Sequence, residues 1–246
     1  MKKPGRKDTA PTAVPGRPGK DFNEENSRNE GIRKASMAAS IPGIVARFVV
    51  CFLFGSIPFA VLAMKGSGID IRQVGSGNPG FNNVLRVSKW RAVLTLIGDM
   101  GKGFFALWLV RHGAPGAGLG WLFGFGAILG HCYSPFLKFN GGKGIATSAG
   151  VMLVLYPPWA MVAMVYFVMA RIIGGRLKWP EAGALASVST WVLFTILMLA
   201  FVNPQDTIYA AFLTVFLAYK HKHNFQRLLG HRSAALESRD SSRGRA

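Results

Sequence analysis

Residues 43–64, GIVARFVVCFLFGSIPFAVLAM, hold one charged side chain, Arg47, in 22 positions. A helix needs about 20 apolar residues to cross the hydrocarbon of a bilayer. The run is not solitary. From residue 43 onward apolar stretches alternate with short polar breaks, and the pattern predicts spans at 43–64, 92–110, 117–137, 145–157, 159–173, 183–202 and 206–219. Several are short for a full crossing, so a single span over 145–173, giving six in all, is the main alternative. The expected fold is an all-α polytopic membrane protein, a seven-transmembrane-helix bundle with short re-entrant or glycine-rich cytoplasmic loops. No internal repeat is visible, so an inverted-repeat transporter has no direct support.

The charge agrees with this and excludes other classes. The 246-residue chain is half hydrophobic, has a positive mean hydropathy of +0.27, and still carries a formal net charge of +18. A disordered chain would lack the apolar runs, and a basic soluble domain would not segregate charge from apolar residues in this way. Residues 1–36 contain nine basic and five acidic side chains with no apolar period. The chain therefore divides into a disordered basic N-terminal tail (1–42), a seven-span domain (43–230) and a flexible polar C-terminal tail (231–246). Met37, just before the first span, is a second candidate start of translation, which N-terminal sequencing of the native protein would decide. With seven spans, loops 65–91, 138–143 and 171–178 share one side with residues 220–246. They carry 5, 2, 3 and 7 basic residues, against Arg111 alone on the other side. By the positive-inside rule the rich side is cytoplasmic and the N-terminus is outside. Cys51 and Cys132 lie in apolar runs and do not suggest a disulfide framework, and two thiolates alone make no zinc site.

Four polar constellations interrupt the apolar pattern. In the first, Gly75-Ser76-Gly77-Asn78-Pro79-Gly80-Phe81-Asn82-Asn83 with Arg86, glycines expose backbone N–H groups in a tight turn, which suits an anion. The Gly75, Gly77, Gly80 spacing matches a dinucleotide fingerprint in form only, since no strand or βαβ unit surrounds it. In the second, Gly130-His131-Cys132-Tyr133-Ser134-Pro135-Phe136 leads to Asn140-Gly141-Gly142-Lys143-Gly144, where bare backbone and one ammonium meet the start of a span. The third, Asp99-Met100-Gly101-Lys102-Gly103, places Asp99 and Lys102 on one helix face inside a span. The fourth is Lys220-His221-Lys222-His223-Asn224 with Arg227. Each has a plain alternative: a glycine turn, a snorkelling lysine with a packing histidine, an internal ion pair, and a basic tail on anionic lipid. All but the Asp99 group would meet on the cytoplasmic side, as two anion cradles beside apolar helices. Asp70 is the only acid expected in those loops before the C-terminal tail, so a carboxylate metal site is not expected.

Taken in order, these residues resemble one family, the bacterial membrane glycerol-3-phosphate acyltransferases that use acyl phosphate (the PlsY family). The resemblance covers about residues 47–230. It is carried by Gly55-Ser56-Ile57-Pro58-Phe59, Gly75 to Gly80, Asn83-Val84-Leu85-Arg86, Asp99 to Gly103, Gly130 to Thr147, and Lys220 to Asn224. It implies seven spans and acyl transfer from acyl phosphate to the 1-hydroxyl of sn-glycerol 3-phosphate, giving lysophosphatidic acid and phosphate, the first step of phospholipid synthesis. It implies no cofactor or metal; the lipid bilayer is the other partner, and nucleic acid is not one. By the same resemblance, Ser76, Arg86, Lys143, His221 and Asn224 would act on the substrates. Gly77, Asn78, Gly80, Asn83, Gly141 and Gly142 would bind phosphate, with His131, Asp99 and Lys102 as further candidates. The chain departs from the family where Phe81-Asn82 replaces Ala-Thr and Asn140 replaces Lys. A transporter for a phosphorylated anion is the reading from another class, and basic cradles on both faces would favour it.

Overall fold

The computed structural model describes residues 40–111 and 117–230, together with Asn26, Ser27 and Glu30. The tails expected at 1–42 and 231–246 lie almost wholly outside the described residues. Among those residues the structure is helical, without strands.

Ser40 opens α1 (Ile41–Gly55) by accepting the amide of Gly43 at 3.3 Å, and Pro42 stands in the first turn, where a missing N–H forfeits no bond. The chain breaks at Ser56-Ile57-Pro58, since a proline inside a helix lacks the donor and clashes with the preceding turn. α2 (Phe59–Met64) resumes beyond it. A polar loop follows, with the short α3 (Phe81–Val84) inside it, and then α4 (Lys89–Arg111). α5 (Ala117–Cys132), α6 (Ile145–Leu155), α7 (Pro157–Arg176), α8 (Ala182–Phe201) and α9 (Pro204–Lys220) complete the order.

Four segments are long and apolar enough to cross a membrane: Ile41–Met64, counting α1 and α2 together, with α4, α7 and α8. α5, α6 and α9 are shorter, at 16, 11 and 17 residues. The open boundary within 145–173 falls at Tyr156, which leaves helical geometry at φ −140°. Pro157, with no N–H to donate back into α6, starts α7 there. Large apolar side chains coat the outside: Ile97, Leu109, Val165, Leu199 and Val215 are 59–69% exposed. Such a surface belongs against lipid rather than water.

Glycines set how closely the helices cross. A Cβ on Gly103 would land on the Thr147 carbonyl, and one on Gly150 on the Met100 carbonyl, so α4 and α6 meet backbone to backbone. Gly55 against Ala127 and Gly130 against Phe52 do the same for α1 and α5. In lipid, where expelling water no longer drives association, this closeness supplies the packing. Gly150→Val should therefore destabilise the bundle by about 1–3 kcal/mol, the usual range for overpacking. The check is the thermal-unfolding midpoint in detergent; an unchanged midpoint would show that α4 and α6 have room to part.

The α4–α6 contact also places the site. Arg111, at the end of α4, donates to the Val154 carbonyl at 2.7 Å and closes the far end of α6. Thr147 lies beside Gly103, fourteen residues into α4, or about 21 Å along it at a helical rise of about 1.5 Å per residue. The N-terminus of α6 is thus recessed within the bundle, and Lys143 just before it is recessed too.

Candidate functional site

The first glycine loop is organised around one buried amide. Asn83, 2% exposed, donates from Nδ2 to the carbonyls of Ile71 (2.9 Å) and Val74 (2.8 Å) and accepts the Ser76 amide on Oδ1 at 3.2 Å. Its hydrogen-bonding groups are engaged with the loop, so Asn83 shapes the cradle that Ser76 and Asn78 line. Gly75 and Gly77 have φ of 55° and 67°, and a Cβ at Gly75 would collide with Asn83 Oδ1. Gly80 precedes α3, and Arg86 is exposed beside Gly75. Phe81 packs against a small cluster that includes Ile71 and Val84, and Asn82 lies against Gly183 at the start of α8.

The second glycine loop folds back on the end of α5. The amides of Gly141 and Gly142 donate to the carbonyls of Cys132 (3.2 Å) and His131 (3.1 Å), which would otherwise be orphaned at a helix end. What these two glycines supply is therefore close approach: a Cβ on Gly142 would meet the His131 ring. Gly144 turns the chain at φ 87° into α6 and leaves Lys143 at the mouth of that helix.

Lys143 donates to Asn224 Oδ1 across 81 residues of sequence. Asn224 in turn donates from Nδ2 to Glu181 Oε2 at 2.6 Å, and Arg227 donates to Glu181 Oε1 at 2.6 Å. Burial pushes the Lys143 ammonium down to about 8; Arg227 and Lys220 act the same way and Glu181 opposes them. Burial alone would raise the Glu181 carboxyl, but the hydrogen bonds from Arg227 and Asn224 outweigh it and hold it below its ordinary range. His221 is buried at the end of α9, with Nδ1 2.8 Å from the Leu217 carbonyl. A carbonyl can only accept, so Nδ1 carries the hydrogen and Nε2 keeps a lone pair. Burial pushes His221 down to about 4, with the Leu217 bond opposing, so the ring is neutral near pH 7.

Sequence reasoning set the Asp99 group apart from the loops; the structure joins it to them. Asp99 Oδ1 is 2.8 Å from Lys102 Nζ and 3.4 Å from His131 Nδ1, and all three residues are buried. Lys102 also donates to the Ile57 carbonyl at 2.8 Å, a group left open by the α1–α2 break. Asp99 and His131 reach the wall of the main cavity, whereas Lys102 stays behind them as a brace between α4 and the break.

That cavity, of about 770 Å³, has two characters. Its polar end holds Ser76, Asn78, Arg86, Lys143, His221 and Asn224. Its other end runs between α6, α7 and α8 past Met152, Ala163, Phe167 and Trp191 to Phe194. Trp191 and Phe194 pack edge to face, 5.2 Å between centroids, and Phe194 meets Tyr156 at 6.4 Å. A second, polar pocket of about 430 Å³ shares Ser76, Asn78, Lys143, Asn224 and Arg227 with the first and adds Arg72, Tyr133 and Lys220. Lys220 sits over the Tyr133 ring at 4.3 Å.

Of the fourteen residues expected to act on the substrates, bind phosphate or serve as further candidates, all but Lys102 thus line one of the two connected spaces. Glu181 was missed. Asp70, the one acid expected near the site, pairs instead with Arg72 at 2.7 Å, and Glu181 is the carboxylate that joins Asn224 to Arg227. Its only signal in the sequence was an acid set between a proline and an apolar run, the place of a helix start.

Comparison with known proteins points one way. The model of the glycerol-3-phosphate acyltransferase family matches residues 45–231. A glycerol-3-phosphate acyltransferase of Bordetella petrii is 38% identical over 215 residues, spanning 82% of this chain and 97% of the relative. The crystal structure of PlsY (YgiH), an integral membrane glycerol 3-phosphate acyltransferase, in its glycerol 3-phosphate form, is similar with a TM-score of 0.67 at 30% identity, covering 77% of this chain and 93% of that one. Its lysophosphatidic acid form gives a TM-score of 0.65 at the same identity and coverage.

Proposed function

The chain belongs to the PlsY family of membrane glycerol-3-phosphate acyltransferases, and from that premise we propose that its acyl donor is acyl phosphate and its acceptor the 1-hydroxyl of sn-glycerol 3-phosphate. The observation that carries this reading is the two-character cavity. An apolar channel ends at a lysine, an amide and a neutral imidazole, and it opens there into a second basic pocket. One greasy chain and two phosphate groups suit this arrangement. The acyl chain would lie among Met152, Phe167 and Trp191, its phosphate near Lys143, and glycerol 3-phosphate in the pocket with Arg72 and Lys220.

The transfer needs little from the protein beyond placement. The acceptor oxygen attacks the acyl carbon, a C–O bond forms, and the acyl C–O bond to phosphate breaks, with phosphate leaving on its electron pair. Phosphate is already a good leaving group, so holding the two substrates together supplies much of the rate. Lys143 and Arg86 neutralise charge as it moves onto the departing phosphate. Ser76 and Asn78 offer hydrogen bonds from the first loop, while Asn83, Gly141 and Gly142 keep the loops in shape. The 1-hydroxyl proton passes to a phosphate oxygen, while His221 Nε2 accepts from the neighbouring hydroxyl of glycerol 3-phosphate and so orients the acceptor.

Seven crossings complete the reading, α1 with α2 counting as one. The surplus of Lys and Arg in the loops around the site supports a cytoplasmic active site in the bacterial inner membrane, with the N-terminus outside. Purified protein given a long-chain acyl phosphate and labelled glycerol 3-phosphate should release lysophosphatidic acid, and acyl-CoA in place of acyl phosphate should release none. Equal product from both donors, or product from acyl-CoA only, would overturn the donor assignment.

A further inference from the structure

Glu181 stands where an anion-binding site would be expected to exclude acids. Both its oxygens are engaged from one short segment, Oε2 by the Asn224 amide and Oε1 by the Arg227 guanidinium, each at 2.6 Å. Asn224 has two unlike ends, and with its NH₂ held by a carboxylate its carbonyl must face the other way, toward Lys143. The carboxylate therefore decides which end of Asn224 the lysine sees. It also draws Arg227, which lines both pockets, to the same spot.

The backbone supports a purpose for this placement. Glu181 has φ 55°, a non-glycine residue in the left-handed region at the end of the five-residue connection from α7 to α8. The φ of 52° at Lys178 belongs to the helix end itself, where the Lys178 and Trp179 amides return to the Gly175 and Gly174 carbonyls. A conformation like that of Glu181 persists where the surroundings enforce it, and at Glu181 the side-chain contacts are the bonds to Asn224 and Arg227.

We infer that Glu181 is a positioning residue of the acyl-transfer site, orienting Asn224 and Arg227 around Lys143 and keeping the Lys143 ammonium charged. The inference rests on the acyltransferase reading above and adds to it a residue that acts through others. The charged and titratable groups around Lys143 are Arg227, Lys220 and His221 from α9 and its continuation and Glu181 from the α7–α8 connection, with Arg86, Asp99 and His131 in the wall of the same cavity. Asp99 is engaged by Lys102; Glu181 is the acid that opposes the two cations and the burial that discharge the lysine.

The test is the pH dependence of kcat/KM for E181Q and E181D beside the unaltered protein, with Lys143 labelling by acetic anhydride, read by mass spectrometry across the same pH range. E181Q keeps the size of the side chain and loses the charge. Its alkaline limb and its Lys143 labelling curve should both move to lower pH by about one unit, the usual effect of one nearby opposite charge. E181D should return part of that shift. Labelling needs no turnover, so it reads the inference even in a variant with low activity. If the unaltered protein transfers no acyl group, the acyltransferase reading fails; if it is active and E181Q leaves both curves in place, the role of Glu181 fails instead.

Discussion

Lys143→Met will lower kcat/KM by about 10²–10³-fold, the range for removing one preorganised charge from a site of charge development. Methionine keeps the length and apolar stem of lysine, so the packing before α6 survives and the loss reads the ammonium. The position makes the effect large. Lys143 borders both pockets, lies at the mouth of a recessed helix, and is shielded from bulk water that would screen its charge. The same burial sets a pH signature. The ammonium is pushed down to about 8, so activity should fall as pH rises through about 8, well below the range of an ordinary lysine. Stability should move the other way. With the folded value below the unfolded one, the unfolded chain binds more protons between about 8 and an ordinary lysine's 10.5, and this residue's contribution to folding becomes more favourable across that window. Loss of activity above pH 8 without loss of the folded state is the expected pair of results. Parallel loss of both, or a methionine variant within a few-fold of the original, would remove Lys143 from the chemistry.

The fold was legible because a membrane imposes simple rules. Apolar length, the proline at position 58 and the prolines at 157 and 158 mark most helix ends, and the spans expected from 43 to 219 lie close to the observed helices. Length failed as a guide only where a helix does not cross alone. α6 has 11 residues because Gly144 turns the chain into it and the Tyr156-Pro157 break ends it, with Arg111 from α4 on the Val154 carbonyl. The sequence therefore left 145–173 divisible in two ways; the structure ends one helix at Leu155 and begins the next at Pro157, with Tyr156 at φ −140° between them.

The site was legible by residue type and less so by role. Glycine-rich loops announce exposed amides, but they do not say which amides are already taken. Gly141 and Gly142 cap α5, and Asn83 ties its own loop together, bonds that depend on how the chain returns. His131 and Asp99 lie 32 positions apart and touch only because α4 and α5 pack side by side. Glu181 escaped because the reading ended one loop at residue 178 and began a span at 183. A five-residue connection has no periodicity to betray it.

His221→Leu should reduce kcat/KM by about 10²-fold, a loss of the size that follows when a reacting group is left without its orienting partner, while His221→Gln should recover to within about tenfold, the value of one net hydrogen bond near 1.4 kcal/mol. Neither substitution should alter the shape of the pH profile between about pH 5 and 7.5. The reasoning separates an acceptor from a base. A general base works best with a value near the operating pH, and one that supplies catalysis is worth about 10²–10⁴-fold. Burial holds His221 down near 4, so the ring is neutral across the working range and binds a proton weakly. Its Nδ1–H is fixed on the Leu217 carbonyl, which leaves Nε2 as a lone pair of set direction rather than a proton carrier of matched strength. Glutamine can present a carbonyl oxygen in its place; leucine presents nothing and leaves the Leu217 carbonyl without that partner. A neutral acceptor also suits its neighbours, since a charged imidazolium beside Lys143 and Lys220 would add a third cation to a pocket that holds them already. An acid limb near pH 6.5 that disappears in the glutamine variant would make His221 the base after all, and the proton would then leave through the protein rather than on the departing phosphate.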